Sequence, residues 1–427
     1  MTNQTAGGVP RIRFKGFDAA WEPKKLGQIY TERNERGNDS LPILSVSIHS
    51  GISNGELSAE ILGKKVRRSK DKSLYKIVQL GDLVLNMMRA WQGALGVAKT
   101  EGMVSPAYLT ATPNDTVYPL FMDFSLRRPQ TVAQMNKLSY GVTDFRKRLY
   151  WDSFIRVGVD MPAVPEQENI AAYFSHLDLA ISLHQLKHEK LMGLKKSVRQ
   201  RMFPCPNKNA PDLRFEGFTG AWEEVCIEDA MQNVANNSLS RADLNYSSGA
   251  AKNIHYGDIL VKFGEVLDAQ SDAIPLIGSN AIVEKLVSSR LKDGDIVMAD
   301  AAEDEAVGRC TELINTGSQV VVAGLHTIAL RPKMSFAPYF LGYYMNSEAF
   351  HTQLLPIMQG TKVLSISKTA IGRLVIRFPT DEAEQRKIGA YFHRLDKLIS
   401  GHATQILKLK QIKSACLEEM FPLELRQ

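Results

Sequence analysis

The 427-residue chain lacks several things, and each lack excludes a class of protein. It has only four cysteines, Cys205, Cys226, Cys310 and Cys416. They are too dispersed for Cys-x-x-Cys metal spacing, and no Cys/His cluster compensates. Reduced, structural thiols are expected, with no disulfide framework and no metal. Long apolar runs are also missing. The longest, VVVAGL at Val320 to Leu325, is far below the roughly 18 residues of a membrane span. The opening MTNQTAGGVPR has neither an apolar core nor an Arg-rich amphipathic pattern. It does not read as a targeting peptide, and a cytoplasmic location is the default expectation. Glycine (30) and proline (18) are in ordinary supply, beside 44% hydrophobic and 23% charged residues. That balance belongs to a globular chain and is neither collagenous nor disordered. At roughly 150 residues per domain, the length points to two or three domains.

The net charge is +6, from 52 Lys/Arg against 46 Asp/Glu. Its distribution is uneven. Residues 1–209 carry 30 basic against 19 acidic residues, a net of +11, whereas residues 210–427 carry 22 against 27, a net of −5. Such asymmetry suggests a polyanion that touches one half more than the other.

Internal repetition organises the rest. PRIRFKGFDAAWE, from Pro10, recurs as PDLRFEGFTGAWE, from Pro211, with 8 of 13 positions identical. A longer segment, Glu166 to Pro204, matches Glu384 to Pro422 at 17 of 39 positions without a gap. Unrelated sequences would agree at roughly one position in fifteen to twenty. The chain is a duplication, and each copy reads as an RF-x-GF-x-x-AWE opener, a variable globule and a closing long helix. The globules barely match each other, apart from an echo between GDLVLNMM at Gly81 and GDIVMADA at Gly294. A repeat that keeps its helices while its globules diverge suggests one frame with two different reading heads. Between the copies lies FPCPNKNAPDLRF, in which Pro204, Pro206 and Pro211 are expected to stop the first helix and keep the linker extended.

The closing segments carry heptad seams. In the first copy apolar and histidine positions run Ile170, Phe174, Leu177, Ile181, His184, His188, Leu191. In the second they run Ile388, Phe392, Leu395, Ile399, His402, Ile406, Leu409. This is strict alternation of four and three. The next apolar residues, Leu194 with Val198 and Ile412 with Cys416, imply that both seams skip at the same place. Pro165 with Glu166 and Glu168 suits a first helical turn, and Asp381 followed by Glu384 resembles a capping box. About 37 residues at 1.5 Å each give helices of roughly 55 Å. Antiparallel packing would set the two globules at opposite ends about a pseudo-twofold axis. Such a rod can bridge successive major-groove faces about 34 Å apart. His184 and His402 hold equivalent seam positions, as register-setting polar residues or as a pH-sensitive contact.

Catalytic signatures are scarce. GALGVAKT, Gly93 to Thr100, departs from a phosphate loop at Ala98, and Gly102 and Pro106 follow where a helix is required. There is no Asn/Asp-Pro-Pro-aromatic motif of an amino-methyltransferase and no glycine-rich cofactor loop. The acidic run Glu303, Asp304, Glu305 lacks the partner spacing of a metal site. No catalytic residue and no cofactor is expected.

Binding features are better represented. KKVRRSKDK contains Lys64, Lys65, Arg67, Arg68, Lys70 and Lys72, six basic residues in nine, suited to tracking phosphates. Arg146, Lys147 and Arg148 form another basic cluster. Arg89 and Gln92 flank Trp91 in a glycine-rich loop, and both side chains can bond bidentately to base edges. In the second globule the candidates are Lys262, Lys362 and Lys368.

On these features the chain resembles the specificity subunits of type I restriction–modification systems. The doubled RF-x-GF-x-x-AWE opener and the doubled EQ-x-x-I-x-AYF-x-x-LD-x-x-IS helix ending in MFP carry the resemblance. SVSIHSG at Ser45, NMMRAWQGALGVA with EGMVSPAYL, and ADAAEDEAVGRC with AGLHTIALRP also look like that family's target-recognition regions. The resemblance implies an α/β architecture of two mixed α/β target-recognition domains, joined by two long antiparallel helices as a coiled coil. The expected boundaries are 1–163 for the first domain, 164–204 for the first helix, 205–210 for the linker, 211–380 for the second domain and 381–427 for the second helix. Each domain would read half of a split, asymmetric site in double-stranded DNA, and the helices would fix the unread spacer. The same helices would dock two methyltransferase subunits, with motor-nuclease subunits added for restriction. The chain itself would be non-catalytic. An acidic second half is unusual for a DNA reader; it would lean on a few lysines, backbone amides, DNA shape or a partner's charge. Two other classes compete: a metal-dependent nuclease around Glu303, Asp304 and Glu305, and a coiled-coil adaptor that binds no DNA.

Overall fold

A computed structural model describes residues 8–37, 40–48, 51–53, 72–141, 147–205 and 208–422. The chain forms two compact units, residues 1–184 with 405–427, and residues 185–404. Each long helix therefore gives one half to each unit.

The first unit is built on a four-stranded sheet in the order Tyr30–Glu32, Tyr108–Pro113, Leu83–Asn86, Leu95–Val97, with every neighbour antiparallel. Leu83–Asn86 is buried along its whole length, as a continuous apolar run requires. Alternate side chains of a strand leave opposite faces. Leu83 and Leu85 join a core with Trp21, Phe121 and Phe174, while Val84 joins a smaller cluster with Leu44, Val78 and Val104. Two helices, Pro119–Ser125 and Pro129–Leu138, each start at a proline whose fixed φ suits a first turn and whose missing N–H is not needed there.

The second unit repeats this plan. Its sheet runs Met231–Val234, Thr327–Pro332, Ile296–Ala299, Cys310–Ile314, again antiparallel, and adds Val266–Asp268 parallel at the far edge. Ile296 and Met298 face a core with Trp222, Phe340 and Phe392, while Val297 and Ala299 face a second cluster with Ile254 and Leu267. The globules, which barely match in sequence, correspond in strand order. The echo at Gly81 and Gly294 marks the same central strand in both. Asp82 and Asp295, each 1% exposed, precede that strand. Each receives two hydrogen bonds from an arginine, Arg33 at 2.7 and 3.3 Å and Arg331 at 2.9 and 2.6 Å. In both units a two-stranded clasp joins the opener to the strand before the long helix, Glu22–Lys25 with Gly158–Met161 and Glu223–Cys226 with Val375–Phe378.

The long helices span Val164–Met202 and Glu382–Glu419. In the first unit Asp178 meets Lys413 at 2.5 Å, Tyr173 meets Cys416 at 3.4 Å, and the rings of Phe174 and Phe421 lie 6.3 Å apart. In the second unit Asp396 meets Lys195 at 2.6 Å, and Phe392 stacks on Phe203 at 5.7 Å. Within each unit the helices are antiparallel. Ile170, Phe174, Ile181, Ile388, Phe392 and Leu395 are buried, while Leu177, His184, Leu191, Ile399, His402 and Leu409 are half-buried.

The expected skip in the seams is absent. Leu194 and Ile412 are exposed, and the four–three alternation continues through Lys195 to Val198 and through Lys413 to Cys416. A lysine holds a seam position here because its stem packs while its ammonium is paired. Each ammonium bonds the aspartate of the facing helix and lies 5.4 Å from a ring centre, Tyr343 for Lys195 and Phe124 for Lys413. A search for apolar residues alone steps past it.

The helix starts are held by charge as well. Glu166 and Glu384, both buried, receive bidentate arginine bonds at 2.6 and 2.7 Å, from Arg13 and from Arg214. The adjacent Gln167 and Gln385 bond to Pro162 and Pro379 carbonyls at 2.8 and 2.9 Å, and accept from the Tyr118 and Ala337 N–H groups. The expected capping box at Asp381 is thus half formed. Asp381 accepts from the Ala383 N–H at 2.8 Å, but the Glu384 side chain goes to Arg214 instead of returning to the cap. The described residues flanking the linker turn back and do not run extended. Lys208 N–H donates to the Cys205 carbonyl and Leu213 N–H to the Arg201 carbonyl, both at 2.9 Å, turning the chain back onto the helix end. The first unit has the same return, from Ile12 N–H to the Glu419 carbonyl at 2.9 Å. The second helix stops at Glu419, ahead of the Phe421–Pro422 pair, because the residue before a proline is pushed out of the α region.

Glu265, at the edge of the added strand, distinguishes the second unit. It receives Lys195 at 2.9 and 3.0 Å and Arg199 at 2.9 Å. Burial pushes its carboxyl up, but the two cations outweigh burial and hold it below the usual carboxylate range.

Candidate nucleic-acid interface

In the first globule the central strand Leu83–Asn86 turns into Leu95–Val97 through the short helical turn Ala90–Gln92. Gly93, at φ 88°, closes the turn in a backbone conformation that other residues avoid. The Trp91 indole donates to the Met88 carbonyl at 2.9 Å, which fixes the ring. Arg89 and Gln92 project from this turn and are exposed. Lys147 lies 5.4 Å from the centre of the Trp91 ring and bonds to Asn136. Arg148, half-buried, pairs its backbone with Tyr140 in both directions at 3.0 Å. The fold thus gathers Arg89, Gln92 and Lys147 around one tryptophan: two cations and an amide with no carboxylate among them.

Lys72 is half-buried and starts the turn to Tyr75. Lys64, Lys65, Arg67, Arg68, Lys70 and Arg146 lie outside the described residues.

The corresponding turn of the second globule is located by shared hydrogen bonds. Asn86 N–H donates to Ala94 O as Ala299 N–H donates to Arg309 O, and Met87 N–H to Ala107 O as Asp300 N–H to His326 O. Gly308, at φ 87°, takes the place of Gly93. This turn is filled by Glu303, Asp304 and Glu305, all exposed, where the first globule carries Arg89, Trp91 and Gln92. Asp304 accepts from the Ala306 N–H at 2.9 Å, and the Glu305 carbonyl meets His351 at 2.7 Å. Among the described residues no three His, Cys, Asp or Glu side chains are grouped as a metal ion would need.

The cations of the second globule are largely committed to its own structure. Arg241 is bidentate to Asp258 at 2.8 and 3.0 Å, Arg331 to Asp295, and Arg309 reaches the Leu260 carbonyl at 2.7 Å. Lys262 reaches the Ala273 carbonyl and lies 4.6 Å from the Tyr246 ring centre. Lys368 is exposed and bonds to Asn236 at 3.3 Å. Lys362 is exposed beside the strand Leu364–Ser365, which pairs with Ala301–Ala302 next to the acidic turn.

Sequence reasoning missed Asn236, Asp300 and His326, which the sheet brings to this same end of the second globule. The signal available was positional. His326 stands one residue before the strand Thr327–Pro332, as Ala107 stands one residue before Tyr108–Pro113.

No protein-family model and no curated protein sequence matches the chain. Solved structures do. The S subunit of a type I restriction–modification system from M. genitalium aligns over 98% of this chain and 100% of its own, at 12% identity and a TM-score of 0.59. A chain from a structure of the assembly and conformational transition of the type I R-M system covers 96% and 100%, at 16% identity and 0.48. The HsdS subunit from Thermoanaerobacter tengcongensis covers 96% and 98%, at 15% identity and 0.45. The likeness to the M. genitalium protein shows the fold: mixed α/β units on two long paired helices, as in a type I specificity subunit. In fold, the resemblance expected from the doubled motifs is borne out.

Proposed function

We propose that the chain is the DNA-recognition subunit of a type I restriction–modification complex. One observation carries this reading. Two units share strand order, clasp and helix attachment, yet at the same turn one presents Arg89, Trp91 and Gln92 and the other Glu303, Asp304 and Glu305. A frame built twice with opposed chemistry at its working edge suits a protein that reads two different sequences. It suits neither one active site nor a uniform polyanion clamp.

In this reading the first unit contacts one half of an asymmetric site in double-stranded DNA, and the second unit contacts the other. The helix pair sets the unread spacer. Exposed apolar side chains on the helices, Leu179, Leu183 and Leu186 on the first and Leu398 and Leu407 on the second, offer surface for two methyltransferase subunits, with motor-nuclease subunits joining for restriction. Methyl transfer and cleavage then belong to those partners, the chain itself is non-catalytic, and the complex works in the cytoplasm. Among the described residues no helix is long and apolar enough to cross a membrane.

The test is a long-read methylation map of DNA exposed to this chain with its methyltransferase. A split motif with one methylated adenine in each half is expected. Metal-dependent cleavage by the purified chain alone would instead favour a nuclease. Deleting seven residues from both helices should shorten the spacer, and an unmoved spacer would end the ruler idea. Replacing Lys64, Lys65, Arg67 and Arg68 with alanine should weaken binding to all sequences and flatten its salt dependence; an unchanged gel shift would remove that run from the interface.

A further inference from the structure

The first globule has an evident reading edge in Arg89 and Gln92, whereas the second has acidic residues at the matching turn. What, then, does the second globule read with? Among the described residues three besides glycine adopt a left-handed backbone: Asn315, His326 and Tyr339. Two have structural reasons. Asn315 bonds Asp268 at 2.8 Å in a tight turn, and Tyr339 presents its N–H to buried Glu312 at 2.6 Å and stacks on His393. His326 has φ 53°, a conformation that side chains avoid, yet its side chain is 52% exposed. Strain retained at an exposed position points to function.

The ring is aimed. His326 Nδ1 lies 3.3 Å from Asp300 Oδ1, and Tyr256 packs edge-on against the imidazole at 5.2 Å. Asp300 is itself fixed, because its N–H bonds the His326 carbonyl at 3.1 Å and its carbonyl accepts from the Ile366 N–H at 2.9 Å. That second bond draws in the segment bearing Lys368, whose ammonium is steadied by Asn236 at 3.3 Å. The Asn236 amide in turn reaches the Gly324 carbonyl, at 3.5 Å, in the turn that holds His326.

We propose that His326 is a base-contacting residue of the second unit and Lys368 a phosphate contact beside it. The proposal rests on the DNA-recognition reading above. With Nδ1–H directed to Asp300, Nε2 is the outward ring atom and acts as an acceptor. The groups that match it in a major groove are the exocyclic amines of adenine and cytosine. An acidic reader fits this chemistry, since those amines are donors.

The test uses the whole complex with its methyltransferase and compares methylation maps. His326→Gly removes the ring and relieves the left-handed strain, so folding is not endangered. It is expected to relax selection at one or two base pairs in one half of the motif, with the other half, the spacing and the unfolding midpoint maintained. Lys368→Ala is expected to weaken binding to all sequences alike and to flatten its salt dependence. If His326→Gly keeps the wild-type motif unchanged, the base-contact assignment is overturned while DNA recognition stands. If the wild-type complex itself yields no split motif, the underlying reading fails instead. Asp300→Asn should resemble His326→Gly in the same half; an unchanged motif would overturn the orienting role.

Discussion

The two globules differ most where their sheets agree best. The strand order Tyr30–Glu32, Tyr108–Pro113, Leu83–Asn86, Leu95–Val97 is repeated in the second globule, as are the buried Arg–Asp pair and the glycine closing the central turn. Between those fixed points one turn is cationic and aromatic and the other acidic. The fixed points are interior: a buried aspartate without its arginine would be a costly charge, so neither partner is free to change alone. The turn residues point outward and can change sign with little cost to folding. The chemistry of this turn can therefore diverge without disturbing the frame.

The largest effects should test whether the frames are equivalent. Arg13→Ala and Arg214→Ala each strand a buried glutamate, at about 3–5 kcal/mol. Denaturant unfolding followed in each variant should show matching losses; a difference well above 1 kcal/mol would break the equivalence.

Glu312 should show a difference next in size. Burial pushes its carboxyl up to about 7, against hydrogen bonds from the Gly342 and Tyr339 N–H groups. The strand Leu95–Val97 in the first unit has no carboxylate. Because the folded value is raised, folding takes up a proton: stability is fullest below the unfolded value near 4.3 and falls as pH rises to about 7. The loss is on the order of 4 kcal/mol at about 1.4 kcal/mol per unit of pH. Unfolding midpoints of Glu312→Gln across pH 4 to 8 should be flatter than wild type; an identical slope would remove this distinction.

Smaller effects should sharpen the difference between the heads. Arg89→Ala with Gln92→Ala should lower discrimination by about 1–3 kcal/mol for each bidentate base pairing removed, in one half-site only. Competition binding with base-substituted DNA would measure it, and weaker discrimination in both halves would refute separate reading. Lys147→Ala, which removes the cation beside Trp91 and its bond to Asn136, should cost about 0.5–1 kcal/mol of stability in denaturant unfolding, and an unchanged midpoint would remove that contact from the turn's support.

Much of the frame was legible in the chain because it is written twice. Arg13 and Arg214, Glu166 and Glu384, and Gln167 and Gln385 are all identical pairs between the repeats. Arg13 with Glu166 and Arg214 with Glu384 pair opener to helix start in the same way in both units. The seam was legible wherever it was apolar and misread where it was not, since Lys195 and Lys413 are seam residues only when Asp396 and Asp178 face them. The sheets were nearly invisible. Their shared features are strand order and interior pairing, which residue identity records chiefly at Gly81, Asp82 and Val84, matched by Gly294, Asp295 and Val297. His326 could not be found by composition, because its backbone conformation and its approach to Asp300 exist only once the turn has closed.

Phe421 and Phe203 fill equivalent niches but arrive at different moments of synthesis. Phe203 precedes the globule it completes, beside Trp222, Phe340 and Phe392. Phe421 follows both globules in the sequence and packs against Trp21 and Phe121, each at 5.6 Å. On a ribosome making the chain from its N-terminus, the second unit has all its parts once residue 404 is made. The first-made globule must wait for the residues after the second long helix before its aromatic niche is closed. The half of the chain made first thus closes its core last, and its aromatic niche stays open while the second unit is made.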